Sequence, residues 1–195
     1  MAFPSRQAES QRQDIRSWLV AQGYALTDLS IMDCIAELTG PLIIDRARNM
    51  GLCGMSGRVD ETGLQAMHDA LGLTLTYRFD LAPNEYHTNV VLSVLAGRAC
   101  LFEPGAFADR AVAATLEAAF DGPCVAITAE EKLAFAGNCI ALTDRDLFMS
   151  LRAEQALSAG SRHSLESLGF TIHSTDLAEL ERAGGSLRCM VTELF

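Results

Sequence analysis

The sequence predicts an α/β fold built from ββαβ repeats, three complete units and two partial ones. Three observations carry that prediction. Gly40, Asn89 and Asn138 open three stretches of like pattern at equal steps of 49 residues. Within those stretches Gly51, Ala99 and Leu147 recur 48 residues apart. Each stretch also holds two short apolar runs, an amphipathic run and a further apolar run, a mixture unlike the all-strand or all-helix units of the common repeat folds.

Taken in order, Ala8–Gln22 reads as a helix, because Ile15, Trp18, Leu19 and Gln22 share one face and Gly23 supplies a stop. A strand over Tyr24–Leu29 follows. The first full unit has strands at Leu42–Asp45 and Met50–Met55, a helix capped by Asp60 with Leu64, Met67 and Leu71 on one face, and a strand over Leu73–Phe79. The second has strands at Val90–Leu95 and Ala99–Phe102, a helix over Phe107–Phe120, a Gly122-Pro123 break and a strand over Cys124–Thr128. The third has strands at Cys139–Thr143 and Leu147–Ser150, a helical stretch Ala153–Leu168 interrupted near Gly160, and a strand over Phe170–His173. A short helix (Asp176–Arg182) then leads to a lone strand (Leu187–Phe195). The two partial units suggest a ring of small sheets whose last strand completes the first unit. The strand pair expected before residue 8 is missing from that ring, so an open sheet edge and self-association into a homo-oligomer are expected.

At 195 residues, 49% hydrophobic and 21% charged, the chain can bury one sizeable core, so a single domain over 1–195 is expected. A net charge of −10 leaves no broad basic face, which argues against nucleic acid and anionic membranes as partners. Small molecules and proteins remain as partners. No apolar run approaches a membrane span, and the N-terminus lacks a signal-peptide core, so a cytoplasmic location is expected. The six cysteines, at 34, 53, 100, 124, 139 and 189, show no metal-ligand spacing, so neither a metal nor another cofactor is expected. Most should be reduced, buried thiols.

In a ring of sheets the strand ends converge at the centre, so polar residues at the matching point of each unit are candidates for chemistry. Glu37 lies three residues before Gly40, His87 two before Asn89, and Cys189 just after Gly184-Gly185. A thiol with an ordinary pKa near 8.5 is only a few per cent thiolate at neutral pH, so Cys189 needs a cationic neighbour, a protonated His87 or the substrate itself, to react. A carboxylate beside His87 is expected to raise the imidazole's pKa and keep it charged. Arg188, one residue earlier in the expected strand, points to the opposite face and cannot serve the thiol. Gly137 and Asn138 read as turn-formers, and His68, His163 and His173 as surface residues.

Five landmarks in order, Glu37-Leu38-Thr39-Gly40, Ser56-Gly57-Arg58-Val59-Asp60, Tyr86-His87-Thr88-Asn89-Val90, Phe135-Ala136-Gly137-Asn138 and Gly184-Gly185-Ser186-Leu187-Arg188-Cys189-Met190, resemble those of the guanidine-modifying enzymes, the pentein or amidinotransferase superfamily. Within it the sequence is most similar to the citrulline utilisation hydrolases. The resemblance implies a pentein-type α/β propeller, here incomplete. It implies Cys189 as the nucleophile on a guanidino or ureido carbon, His87 as general acid and base, and Glu37 as the carboxylate that orients His87. Arg58 would pair with a substrate α-carboxylate through its planar fork. The family usually carries Gly where this chain has Leu38, and it has an upstream strand pair and substrate loop that this sequence lacks. Relatives that act on arginine-like cations carry Asp where this chain has Asn89. An amide both donates and accepts, which suits the neutral ureido group of citrulline. The expectation is therefore a C–N hydrolase acting on citrulline before arginine, with an amidinotransferase, or an inactive relative that binds a partner, as the alternatives.

Overall fold

The computed structural model describes residues 6–120 and 122–194. Its helices and strands run α1 (Gln7–Ser10), α2 (Gln13–Ala21), β1 (Leu42–Asp45), β2 (Met50–Met55), α3 (Glu61–Ala70), β3 (Leu75–Asp80), α4 (Thr88–Val91), β4 (Leu92–Leu95), β5 (Ala99–Phe102), α5 (Ala111–Ala119) and β6 (Cys124–Ala126). They continue with α6 (Ala129–Leu133), β7 (Ile140–Ala141), β8 (Asp146–Ser150), α7 (Leu151–Ala156), α8 (Ala159–Ser167), β9 (Thr171–Thr175) and α9 (Ala178–Glu181). The strands form three sheets, β1-β2-β3, β4-β5-β6 and β7-β8-β9, each an antiparallel pair followed by a parallel one reached through helix. This is the repeat expected from the sequence. No closed sheet joins the three.

The repeat is stitched at its matching positions. The Asn89 N–H donates to the Gly40 carbonyl at 3.0 Å, Asn138 Nδ2 to the Asn89 carbonyl at 2.7 Å, and the Arg188 N–H to the Asn138 carbonyl at 3.3 Å. Positions about 49 residues apart are therefore neighbours, and the candidate chemistry converges there. Apolar burial fills the spaces between units. One core joins Ile43, Leu52 and Phe79 of the first sheet to Leu92, Phe102 and Leu116 of the second unit. Another joins Leu101 and Val125 of the second to Leu147, Met149 and Leu165 of the third.

Several elements differ from the sequence reading. The N-terminal helix is broken between Ser10 and Gln13, where Arg12 takes an extended backbone, and no strand forms over Tyr24–Leu29. The lone C-terminal strand is instead a 3-10 turn over Leu187–Met190 followed by irregular chain, and Phe195 lies outside the described residues. In both places a strand would need a partner edge, and among the described residues none is offered. The second unit opens with α4 before β4 begins at Leu92. Helix α6 was not foreseen: its Thr128–Glu131 capping box is legible in the sequence, but the helix has only five residues. No helix among the described residues is long and apolar enough to cross a membrane.

Candidate active site

Glu37 is carried by a short clamp. Ala36 bridges Val59, the Glu37 N–H donates to the Arg58 carbonyl at 3.2 Å, and the Ile35 N–H donates to Asp60 Oδ2 at 3.0 Å. Gly63 is required there, since a Cβ would lie 1.9 Å from the Ile35 carbonyl oxygen. The next residue, Leu38, has φ 57°, the left-handed conformation that glycine adopts without strain. The turn thus keeps a glycine-type backbone although the side chain is leucine, and Glu37 stays in place.

His87 immediately precedes α4. The Thr88 hydroxyl anchors it by donating to the Pro41 carbonyl at 2.5 Å and accepting from the Gly54 N–H at 2.8 Å. Its ring lies flat on Gly40, where a Cβ would sit 2.7 Å from Nε2. Nε2 is 2.8 Å from Glu37 Oε2, and both side chains are buried. An ionised carboxylate only accepts, so Nε2 carries the hydrogen, and Nδ1, buried with no partner of its own, keeps a bare lone pair.

Glu37 also accepts from Arg58 Nη1 at 3.1 Å and from Arg6 Nη1 at 2.8 Å, and Arg58 stands over the Tyr86 ring at 5.8 Å. Burial disfavours the Glu37 carboxylate, but hydrogen bonds from His87 and Arg6 and the charges of His87 and Arg58 outweigh it and hold the group below the usual carboxylate range. For His87 the balance corrects the expectation of a charged ring. Burial lowers its pKa, Glu37 raises it, Arg58 and Arg6 lower it again, and the net direction is down. Burial and the two guanidiniums thus favour the uncharged ring over the charged one.

Cys189 sits in the Leu187–Met190 turn behind Gly184 (φ 90°) and Gly185 (φ 77°), and a Cβ on Gly185 would press on its Sγ at 3.0 Å. It is the exposed cysteine of the six. Burial pushes the other five thiols up, Cys53 to about 12 and Cys139 to about 11. Arg6, Glu37, Arg58, Tyr86, His87, Gly185 and Cys189 line one open pocket of about 290 Å³. Four of the five sequence candidates are thereby brought together. Asn89 is not on the wall: buried beneath the thiol, it donates from Nδ2 to the Thr39 carbonyl at 3.1 Å and accepts the Cys189 thiol at Oδ1 at 3.4 Å. Its amide is engaged with Thr39, Asn138 and Cys189 and does not line the pocket where a substrate ureido group was expected to meet it. Arg188 is not in a strand, but its side chain does turn elsewhere, to the Val191 carbonyl and Glu193. Sequence reasoning missed Arg6, for which no local signal exists, and the role of Asn138, whose 49-residue spacing from Asn89 was such a signal.

Repeated ββαβ sheets with cysteine, histidine and glutamate converging at their ends define the pentein fold of the guanidino-modifying superfamily. Over residues 1–195 the sequence matches the family model described as N,N dimethylarginine dimethylhydrolase, eukaryotic, and the chain belongs to that family. No curated protein matches the sequence. The structure is similar to the N-terminal domain of a mutant of ArgZ bound to substrate, an arginine dihydrolase from the ornithine-ammonia cycle in cyanobacteria, with TM-score 0.76, 22% identity, 89% of this chain and 61% of that chain covered. It is also similar to AgrE in ternary complex with ornithine and NAD+ (TM-score 0.75, 24% identity, 89% and 24% covered). A dimethylarginine dimethylaminohydrolase adduct with 4-chloro-2-hydroxymethylpyridine follows at TM-score 0.65 and 19% identity, with 91% and 65% covered. The chain thus spans about three-fifths of the length of the ArgZ domain.

Proposed function

We propose that this protein is a C–N hydrolase of ureido or guanidino amino acids, with citrulline favoured over arginine, working through a covalent Cys189 intermediate. The observation that carries the reading is the single pocket that Cys189 shares with the Glu37–His87 pair. His87 takes the thiol proton, Sγ attacks the ureido carbon, and the imidazolium returns the proton to the departing nitrogen as the C–N bond breaks. Water then attacks the thiocarbamate carbon while His87 takes its proton and hands it to the departing sulfur, which frees the thiol and leaves a carbamic acid that loses carbon dioxide to give the second amine. The net reaction is citrulline plus water to ornithine, carbon dioxide and ammonia. Glu37 keeps the imidazole oriented throughout and stabilises it while charged.

The pocket's charge supports the substrate order. Arg6 and Arg58 face one carboxylate, Glu37, which their guanidiniums and His87 already engage. A third guanidinium entering here finds cations and an occupied carboxylate, whereas a neutral ureido group meets no such penalty and an α-carboxylate suits Arg58. With its six free thiols, the chain suits a reducing compartment, and we place it in the cytoplasm. We read 1–195 as one pentein-type propeller domain.

The test is kcat/KM for citrulline and arginine on the protein at its native length, with mass spectrometry of the acid-quenched enzyme to find the Cys189 adduct. Citrulline should lead by tenfold or more, and Cys189→Ser should be inactive. A tenfold preference for arginine would overturn the substrate order, and full turnover by Cys189→Ser the mechanism.

A further inference from the structure

We infer that Asn138 is a positioning residue for the Cys189 sulfur, a role that rests on the reading of Cys189 as nucleophile. The Asn138 side chain is fully buried and makes a complete set of hydrogen bonds. Its Oδ1 accepts from the Ser186 N–H at 3.0 Å and from the Cys189 N–H at 3.4 Å. Its Nδ2 lies 2.7 Å from the Asn89 carbonyl oxygen, 3.2 Å from Cys189 Sγ and 3.3 Å from Asn89 Oδ1.

The two backbone donors decide which way the amide faces. Only a carbonyl oxygen can accept from the Ser186 and Cys189 N–H groups, so the NH₂ end must face the sulfur. One of its hydrogens goes to the Asn89 carbonyl, which leaves the other for Sγ and Asn89 Oδ1. Asn89 is fixed in the same manner: its NH₂ is held on the Thr39 carbonyl, so its oxygen faces Sγ. The sulfur therefore meets one amide that accepts and one that donates. Asn89 takes the S–H while the thiol is protonated. Once the proton has gone to His87, the Asn138 N–H remains as donor to the thiolate. The same Asn138 amide pins the Ser186–Cys189 turn, so the donor and the sulfur cannot drift apart. This geometry explains why a fully buried polar side chain sits at the third of the 49-residue marks, where a turn alone would need no amide.

The test is iodoacetamide alkylation of Cys189, followed by peptide mapping across pH, which needs no substrate. In the folded wild type at pH 7, Cys189 should react faster than the same cysteine in the urea-unfolded chain; an equal or slower rate overturns the inference, whatever the variants do. Asn138→Asp keeps an oxygen for the two backbone N–H groups but aims a second, hydrogen-free oxygen at the sulfur. Its alkylation at pH 7 should fall about tenfold or more, the size of one charge-assisted hydrogen bond, with the pH profile displaced upward. Asn138→Ala should fall less, with kcat reduced and KM nearly kept. A folded Asn138→Asp with the wild-type alkylation profile also overturns the inference. Alkylation that behaves as expected in a protein that turns over neither citrulline nor arginine would sink the proposed function and leave the Asn138 assignment standing.

Discussion

The middle unit and the N-terminal segment both carry runs of apolar residues and end in opposite states. Every residue of β5 is buried, because β4–β6 has a sheet on each side to pack against. Helix α2 carries the expected stripe and buries none of its residues: Ile15 is 48% exposed and Trp18 53%. A stripe makes a helix amphipathic, but only a neighbour makes it part of a core. The site straddles this divide. His87 and Asn89 come from the start of the doubly covered middle and Asn138 from the start of the third unit, while Arg6, Glu37 and Cys189 come from the ends and are held there by polar contacts.

The contrast can be broken from the packed side. Phe102, fully buried between two sheets, should cost about 3–5 kcal/mol as Phe102→Ala, read by urea unfolding; a loss under about 1 kcal/mol would mean that the middle is not the stable part. Where the two sides meet, Gly40→Ala drives a methyl against the His87 ring and should lower kcat about 10²-fold while costing about 1–3 kcal/mol. Wild-type kcat in that variant would show that the His87 ring has room to move.

Acidification probes the same junction. His87 has a folded-state pKa below its ordinary value, so between the two the unfolded chain binds more protons and stability rises with pH. The full contribution is present above about pH 6.5 and is lost as pH falls below that. Glu37, also lowered, adds a second loss on the same side, beginning near its ordinary carboxyl value of about 4.3. The urea midpoint should therefore drop from pH 7.5 to pH 5, and His87→Gln should flatten that drop; a midpoint that rises toward pH 5 would reverse the assigned direction. A smaller effect is expected at Leu38, whose left-handed backbone costs about 1 kcal/mol, partly offset by glycine's extra chain entropy. Leu38→Gly should raise stability by about 0.5 kcal/mol, and a loss of stability would show that its side chain contributes more than its backbone costs. Smallest of all, Trp18→Ala should change stability by less than about 0.5 kcal/mol. A loss above about 2 kcal/mol there, together with a dimer by light scattering, would mean that a second copy covers α2.

Much of this was legible in one dimension. The 49-residue step located three sheets, their order and the row of matching positions, because a repeated unit repeats its burial pattern. The Asp60 cap, with its oxygen accepting from the Gly63 N–H, started α3 where expected. The strands over Tyr24–Leu29 and Leu187–Phe195 were misread because a strand is defined by its partner, and local apolar residues cannot supply one. The charge state of His87 was misread because proximity to Glu37 was visible in the landmarks while burial was not.

By itself the sequence determined the ββαβ unit and its recurrence, since these follow from periodicity, while the cysteine, histidine and glutamate of the candidate site were picked out by their places in that repeat and by the family resemblance. Only the tertiary structure decided that Arg6 reaches Glu37, that Asn89 and Asn138 face the sulfur and not the pocket, and that His87 Nδ1 is the unpartnered nitrogen. Each of those is a matter of which hydrogen-bonding group lies opposite which. Opposition across 31 to 100 residues of chain is set by how the sheets stack.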